Sequence, residues 1–124
     1  MKCRSMYGQG MFLEGVVKLK ITIEDINYFI FMIKREKLGV RKRYFSILHN
    51  KDSDEYKRFI NVYLKYKKVV SEREQLVLDS VYGVNGAPLK LKEVAQIIKV
   101  TPERVRQLVF KSEREMATFL RQKY

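Results

Sequence analysis

Residues 91–120 read LKEVAQIIKVTPERVRQLVFKSEREMATFL, and the fold turns on this stretch. Leu91, Val94, Ala95 and Ile98 fall at i, i+3, i+4 and i+7, which places apolar side chains on one face of a helix. Lys99 and Val100 interrupt that pattern, and a second one opens at Thr101-Pro102. Thr101 supplies an N-cap oxygen, while Pro102 at the first helical position has its φ pre-set and no amide left unpaired. Ala95 is the small residue needed where two helices cross, and Val94, Ile98, Val100, Val105 and Leu108 are placed to face a shared core. The residue at the turn takes a left-handed conformation and is usually glycine. Here it is Lys99, at a cost on the order of 1 kcal/mol relative to glycine. The pattern predicts a helix-turn-helix, a unit whose second helix enters the major groove of DNA.

That second helix is expected to bury Val105, Leu108, Ser112, Met116 and Phe119 or Leu120. Its other face presents Glu103, Arg104, Gln107, Lys111 and Arg114, with Arg106 on the flank. Arginine pairs bidentately with guanine, glutamine pairs with adenine, and glutamate accepts from cytosine. Together with Thr101 these are the candidate DNA-binding residues. A merely solvated helix could carry the same charges; the capped, proline-started geometry directly after an alanine-crossed helix is what points to DNA.

The charge balance agrees. The 124 residues hold 26 Lys and Arg against 14 Asp and Glu, a net charge of +12 that favours a polyanionic partner. The excess is uneven: residues 1–70 hold 16 basic and 7 acidic side chains, residues 71–124 hold 10 and 7. The expectation is a division of labour, with bulk phosphate attraction upstream and base discrimination downstream. One cysteine, Cys3, allows no intramolecular disulfide, and with one histidine, His49, it makes no standard zinc site. There is no glycine-rich phosphate loop, and the acidic pairs Asp52/Asp54 and Glu72/Glu74 read as helix starts, so neither catalysis nor a cofactor is expected. No apolar run is long enough to span a membrane and residues 1–13 lack the continuous apolar core of a signal peptide. A cytoplasmic protein is expected.

Upstream, residues 1–15 are rich in Gly and Met without a period, and a frayed start is expected. Val17, Leu19, Ile21 and Ile23 alternate with polar residues, the period of a half-buried strand. Thr22 can cap a helix running to Gly39, with residues 28–33 as its core-facing centre. Arg41-Lys42-Arg43-Tyr44 has two readings, a nucleic-acid-contacting cluster of cations and an aromatic, or a short amphipathic helix with a basic rim. Asp52, with Glu55 three residues on, predicts a helix start after the turn at His49, and Tyr56, Phe59, Ile60, Tyr63 and Leu64 carry helical spacing to about Lys68. Ser71 and Glu74 form a second capping box, opening a helix that should bury Leu76, Val77, Ser80 and Val81 and stop near Gly83. The fold class is all-α: a helical bundle of four or five helices followed by the DNA-reading pair, with the short strand near the N-terminus as its one β element.

From Ser71 onward the chain resembles the fourth, C-terminal region of housekeeping-class bacterial sigma factors. The residues that carry the resemblance are Ser71-Glu72-Arg73-Glu74-Gln75-Leu76-Val77-Leu78, then Tyr82-Gly83, then Leu91-Lys92-Glu93-Val94-Ala95. Val100-Thr101-Pro102-Glu103-Arg104-Val105-Arg106-Gln107-Leu108, Lys111 and Leu120-Arg121 complete it. The resemblance implies that the last helix reads the −35 promoter element and that the helices before it grip the β flap of RNA polymerase. It places Glu103, Arg104, Arg106 and Gln107 at bases and nearby phosphates, and Lys111 at the upstream edge, where activators meet the family. Three positions depart from the family pattern. Pro102 stands in place of an arginine and removes one DNA contact, Val109-Phe110 replaces Glu-Ala, and Lys90 stands where threonine caps the first helix of the motif.

The resemblance divides the chain into residues 1–70, a basic and mainly helical region, and residues 71–124, the helix-turn-helix domain. Residues 1–70 are too few for the family's region 2 and linker, so the expectation is an orphan region-4-like protein of the phage or mobile-element type. Such a protein would be a transcription regulator or a partial sigma-like factor, with double-stranded DNA as partner and bacterial RNA polymerase as a second one. The alternative is a protein-interaction module that binds polymerase or a sigma factor, DNA contact being incidental. The apolar residues 29–33 and the strand are where a homodimer contact would form.

Overall fold

The computed structural model describes residues 21–35 and 42–124. The first helix, α1, spans Ile23–Ile33. Thr22 Oγ1 accepts the Asp25 amide at 3.2 Å and Asp25 Oδ2 accepts the Thr22 amide at 3.2 Å, a reciprocal box that satisfies two donors at the helix start. Ile26, Phe29, Ile30 and Ile33 line its buried face. The helix stops at Ile33, short of the expected Gly39, which lies outside the described residues. The reason is tertiary: Lys42 Nζ donates to the Ile33 carbonyl at 2.7 Å, Lys34 turns extended, and Arg35 pairs antiparallel with Lys42 in an isolated bridge. Cys3, residues 1–15 and most of the expected strand also lie outside the described residues. Ile23 already belongs to α1, so no strand reaches it.

A 3-10 turn over Arg43–Ser46 follows, and then α2, Asp54–Tyr66. Ser53 caps α2, in place of the expected Asp52. The Ser53 hydroxyl accepts the Tyr56 amide at 3.1 Å, while the Asp52 amide is taken up locally by Asn50 Oδ1 at 3.2 Å. His49 sits exposed in the turn. A second 3-10 turn, Lys67–Val69, leads into α3, Glu72–Tyr82, where the Ser71–Glu74 capping box forms as expected. The inner face of α3 is Glu74, Val77, Leu78, Val81 and Tyr82, and Leu76 turns outward at 47 % exposure. Gly83 ends α3 at φ 72, ψ 36; a Cβ there would meet the Gly86 carbonyl oxygen and the Pro88 nitrogen at 2.9 Å, so this stop needs glycine. The last two helices are α4, Leu91–Ile98, and α5, Pro102–Lys123. Five α-helices, three of them before the pair, make the described part of the chain all-α.

One apolar core runs through all five helices. At its centre the Tyr82 ring meets Tyr44, Phe59 and Tyr63 edge-on at 5.0, 5.0 and 4.9 Å, and Phe29 stacks on Phe59 at 5.0 Å. Edge-on contacts put the positive rim of one ring against the negative face of the next. Tyr56 Oη donates to the Tyr82 carbonyl at 3.0 Å, so the segment before Val70 and the helices after it share their packing. Of the basic cluster at residues 41–44, Arg41 lies outside the described residues, while Lys42 and Tyr44 are both buried, so neither is free to touch a nucleic acid. No described helix is long and apolar enough to cross a membrane.

Candidate nucleic-acid interface

The two helices of the motif join as the sequence predicts. Lys90 lacks a side-chain acceptor, and its amide is instead satisfied by Glu93 Oε1 at 2.8 Å. Val94 and Ala95 are buried at the crossing, with Leu91 and Ile98 half-buried beside them. Lys99 adopts φ 60, ψ 50, the left-handed conformation expected of the turn, and the Val100 amide donates back to the Ala95 carbonyl at 3.0 Å. Thr101 Oγ1 then accepts the Arg104 amide at 3.1 Å and Pro102 occupies the first turn. This geometry fixes where α5 starts and therefore which side chains its first turns present.

The inner face of α5 is wider than the sequence reading. Val105, Leu108, Ser112 and Met116 are buried as expected, and so are Val109, Glu113 and Ala117. Leu120 takes the inward position while Phe119 is 36 % exposed. Against that face, Glu103, Arg104, Gln107, Lys111 and Arg114 are all exposed and Arg106 is intermediate at the flank. Thr101 is exposed at the head of the helix.

These side chains form a network. Glu103 pairs with Arg106, Arg106 Nε donating to Oε1 at 2.9 Å and Nη2 bonding Oε2. Gln107 Nε2 reaches Glu103 at 3.5 Å and Arg104 Nη1 reaches Gln107 Oε1 at 3.4 Å. The Arg106 guanidinium holds the Glu103 carboxyl below the usual carboxylate range. A ligand that took the Nε–Nη2 edge of Arg106 would displace Glu103 from it. Lys111 stands apart, with its ammonium 3.1 Å from Glu74 and 3.3 Å from Glu115. Burial alone would push the Glu74 carboxyl up, but the Ser71 amide and hydroxyl and the Lys111 ammonium together bring it below its ordinary value. Lys111 thus ties α5 to the start of α3 while keeping half of its side chain in solvent.

Two features of this region were not legible in the sequence. The Phe110 ring, at one of the positions that departs from the family pattern, is surrounded by cations: Lys42 Nζ at 4.4 Å, Arg35 Cζ at 4.5 Å and Arg106 Cζ at 5.0 Å from its centroid. Arg35 and Lys42 reach it from the end of α1 and the segment after it. Beneath the ring, Glu113 is fully buried, with Lys42 Nζ at 3.0 Å from Oε1 and the Tyr82 hydroxyl donating to Oε2. Burial pushes the Glu113 carboxyl up despite Lys42 and the tyrosines. It also pushes up the Tyr82 and Tyr44 hydroxyls, which share that carboxylate. The hint in the sequence was the coincidence of Lys42 and Tyr44 in one cluster, but its partner lies some seventy residues away.

Comparison with known families places this geometry. The family model described as "Sigma-70, region 4" matches residues 68–115, a span that holds the α3 capping box, all of α4, α5 as far as residue 115 and every candidate residue from Thr101 to Arg114. No curated protein and no solved structure matches the chain. Residues 68–115 are a sigma-70 region 4 domain, a DNA-binding helix-turn-helix of transcription.

Proposed function

We propose that the chain is a sequence-specific transcription regulator or partial sigma-like factor that reads promoter DNA through α5. The observation that carries this reading is the exposed first half of α5, where Arg104, Gln107, Glu103 and Arg106 project from a helix start fixed by Thr101, Pro102 and the left-handed Lys99. Arg104 and Gln107 are the base readers, bonded only weakly to each other in the free chain. Arg106 exchanges Glu103 for phosphate or base. Lys111 and Arg114 contact phosphates, Lys111 also keeping α3 in place.

The test is anisotropy of a −35-type promoter duplex against a scrambled duplex. The wild-type chain favours the promoter sequence, and Arg104→Ala lowers that preference by about 1–3 kcal/mol. Equal binding of both duplexes by wild type removes the reading.

A second reading rests on Leu76 and Ile97, apolar side chains 47 % and 57 % exposed on the two helices that precede α5. They suit a protein partner, and RNA polymerase is the one the family implies. In this reading the chain works as an interaction module, with DNA contact incidental. Nuclease-treated pull-down of polymerase subunits separates the two: recovery that survives Arg104→Ala but not Leu76→Asp favours the second.

A further inference from the structure

Lys34 and Arg35 close α1, and they line one cleft of about 270 Å³ together with Arg114 and Arg121 of α5. Ile30, Ile33 and Ala117 give the cleft its apolar part. All four cations are exposed. Among the described residues Lys34, Arg114 and Arg121 form no ion pair, and Arg35 spends its charge only on the Phe110 ring. The acid that lines the cleft, Glu113, is buried and already engaged by Lys42. A stabilising role at the end of α1 would account for Lys34 and Arg35 through the helix dipole, but not for the two arginines from another helix.

The cleft adjoins the reading face. Arg35 and Arg106 meet the same Phe110 ring, so the flank of α5 and the end of α1 bring their cations to one place. At about 1.5 Å of rise per residue, Arg114 lies about 16 Å and Arg121 about 27 Å along α5 from Glu103. The major groove is about 12 Å wide. With the first turns of α5 at the base edges, both arginines lie farther along the helix than the groove is wide, so they suit the flanking backbone rather than the bases.

We infer that this cleft is a clamp for the DNA phosphate backbone flanking the site read by α5, so that the end of α1 contributes affinity without sequence preference. The inference rests on the proposed reading of DNA by α5. It locates the upstream half of the division of labour at Lys34 and Arg35, residues that lie outside the region 4 match.

The experiment is a salt series of anisotropy titrations with the full chain, on the promoter-type duplex and its scrambled counterpart. The triple variant Lys34→Gln, Arg35→Gln, Arg121→Gln should lower the slope of log affinity against log salt by about 2.7, at about 0.9 per phosphate contact, equally on both duplexes. The ratio between the duplexes should stay as in wild type. Arg35 touches Phe110, so a second variant, Lys34→Glu with Arg121→Glu, changes only side chains without an ion pair among the described residues and should lower the slope as well. An unchanged slope in both variants, with Arg104→Ala still lowering the preference, overturns the clamp and leaves the reading by α5 standing. A wild-type chain that binds neither duplex overturns both.

Discussion

Glu103 and Glu113 lie on the same helix about three turns apart, and each faces a cation, yet their surroundings give them opposite properties. Glu103 is 58 % exposed beside Arg106 and its carboxyl is held down by that partner. Glu113 is 1 % exposed beside Lys42 and its carboxyl is pushed up, because burial outweighs the cation and the two tyrosines. In water a pair of charges gains little and can be traded for other partners. In the core the same pairing cannot be left without leaving a charge stranded. The outer pair therefore suits exchange with a ligand, and the inner pair suits joining the segment before α2 to the recognition helix.

The largest effect that would break this comparison is at the inner pair. Lys42→Met should destabilise the fold by about 3–5 kcal/mol at neutral pH in urea denaturation, because it strands the Glu113 carboxylate. Adding Glu113→Gln should restore most of the loss, since the amide can still accept from Tyr82 while carrying no charge. A double variant as unstable as the single one would show that Lys42 acts through Ile33 and Phe110 alone. The pH dependence has a definite sign. A raised carboxyl favours the folded state while protonated, so the Glu113 contribution is present below the usual carboxylate range and lost as pH rises through its raised value. The defect of Lys42→Met should thus shrink on acidification. Glu74 works in the other direction: its lowered carboxyl stabilises above the usual range, and that contribution is lost as pH falls.

Smaller effects sharpen the comparison at the outer end of α5. Thr101→Ala removes the cap from the Arg104 amide and should cost about 1 kcal/mol in thermal unfolding. Lys99→Gly relieves the left-handed turn and should stabilise by up to about 1 kcal/mol, leaving duplex preference unchanged. Glu103→Gln should leave the melting temperature where it is. It should strengthen binding to scrambled DNA by freeing Arg106, so that a fall in scrambled-duplex affinity would mean that Glu103 does not compete for that guanidinium.

Much of the region from α3 to α5 could be derived from the chain as written. The left-handed Lys99, the Thr101 cap, the exposed row from Glu103 to Arg114 and the Ser71–Glu74 box each depend on residues within four positions of one another, and local spacing fixes them. The errors fall where a local pattern competes with a remote contact. The helix expected to run to Gly39 stops at Ile33, whose carbonyl is taken by Lys42. Leu76 fits an apolar stripe, but the inward face of α3 is set by Glu74, Leu78 and Tyr82. Asp52 and Ser53 are both good caps, and the Asn50 side chain decides between them by engaging the Asp52 amide.

Local spacing was enough to define the helix-turn-helix, the start of its second helix and the charges that helix shows to solvent, because caps, turns and helical periods are short-range. Packing between distant helices settled that Lys42 pairs with Glu113, that Arg35 meets Phe110, and that the end of α1 shares a basic cleft with α5. Those pairings join residues separated by about seventy positions or more. Nothing in the local pattern of a lysine reveals whether it will meet water or a buried carboxylate; that is settled by which helix packs against it.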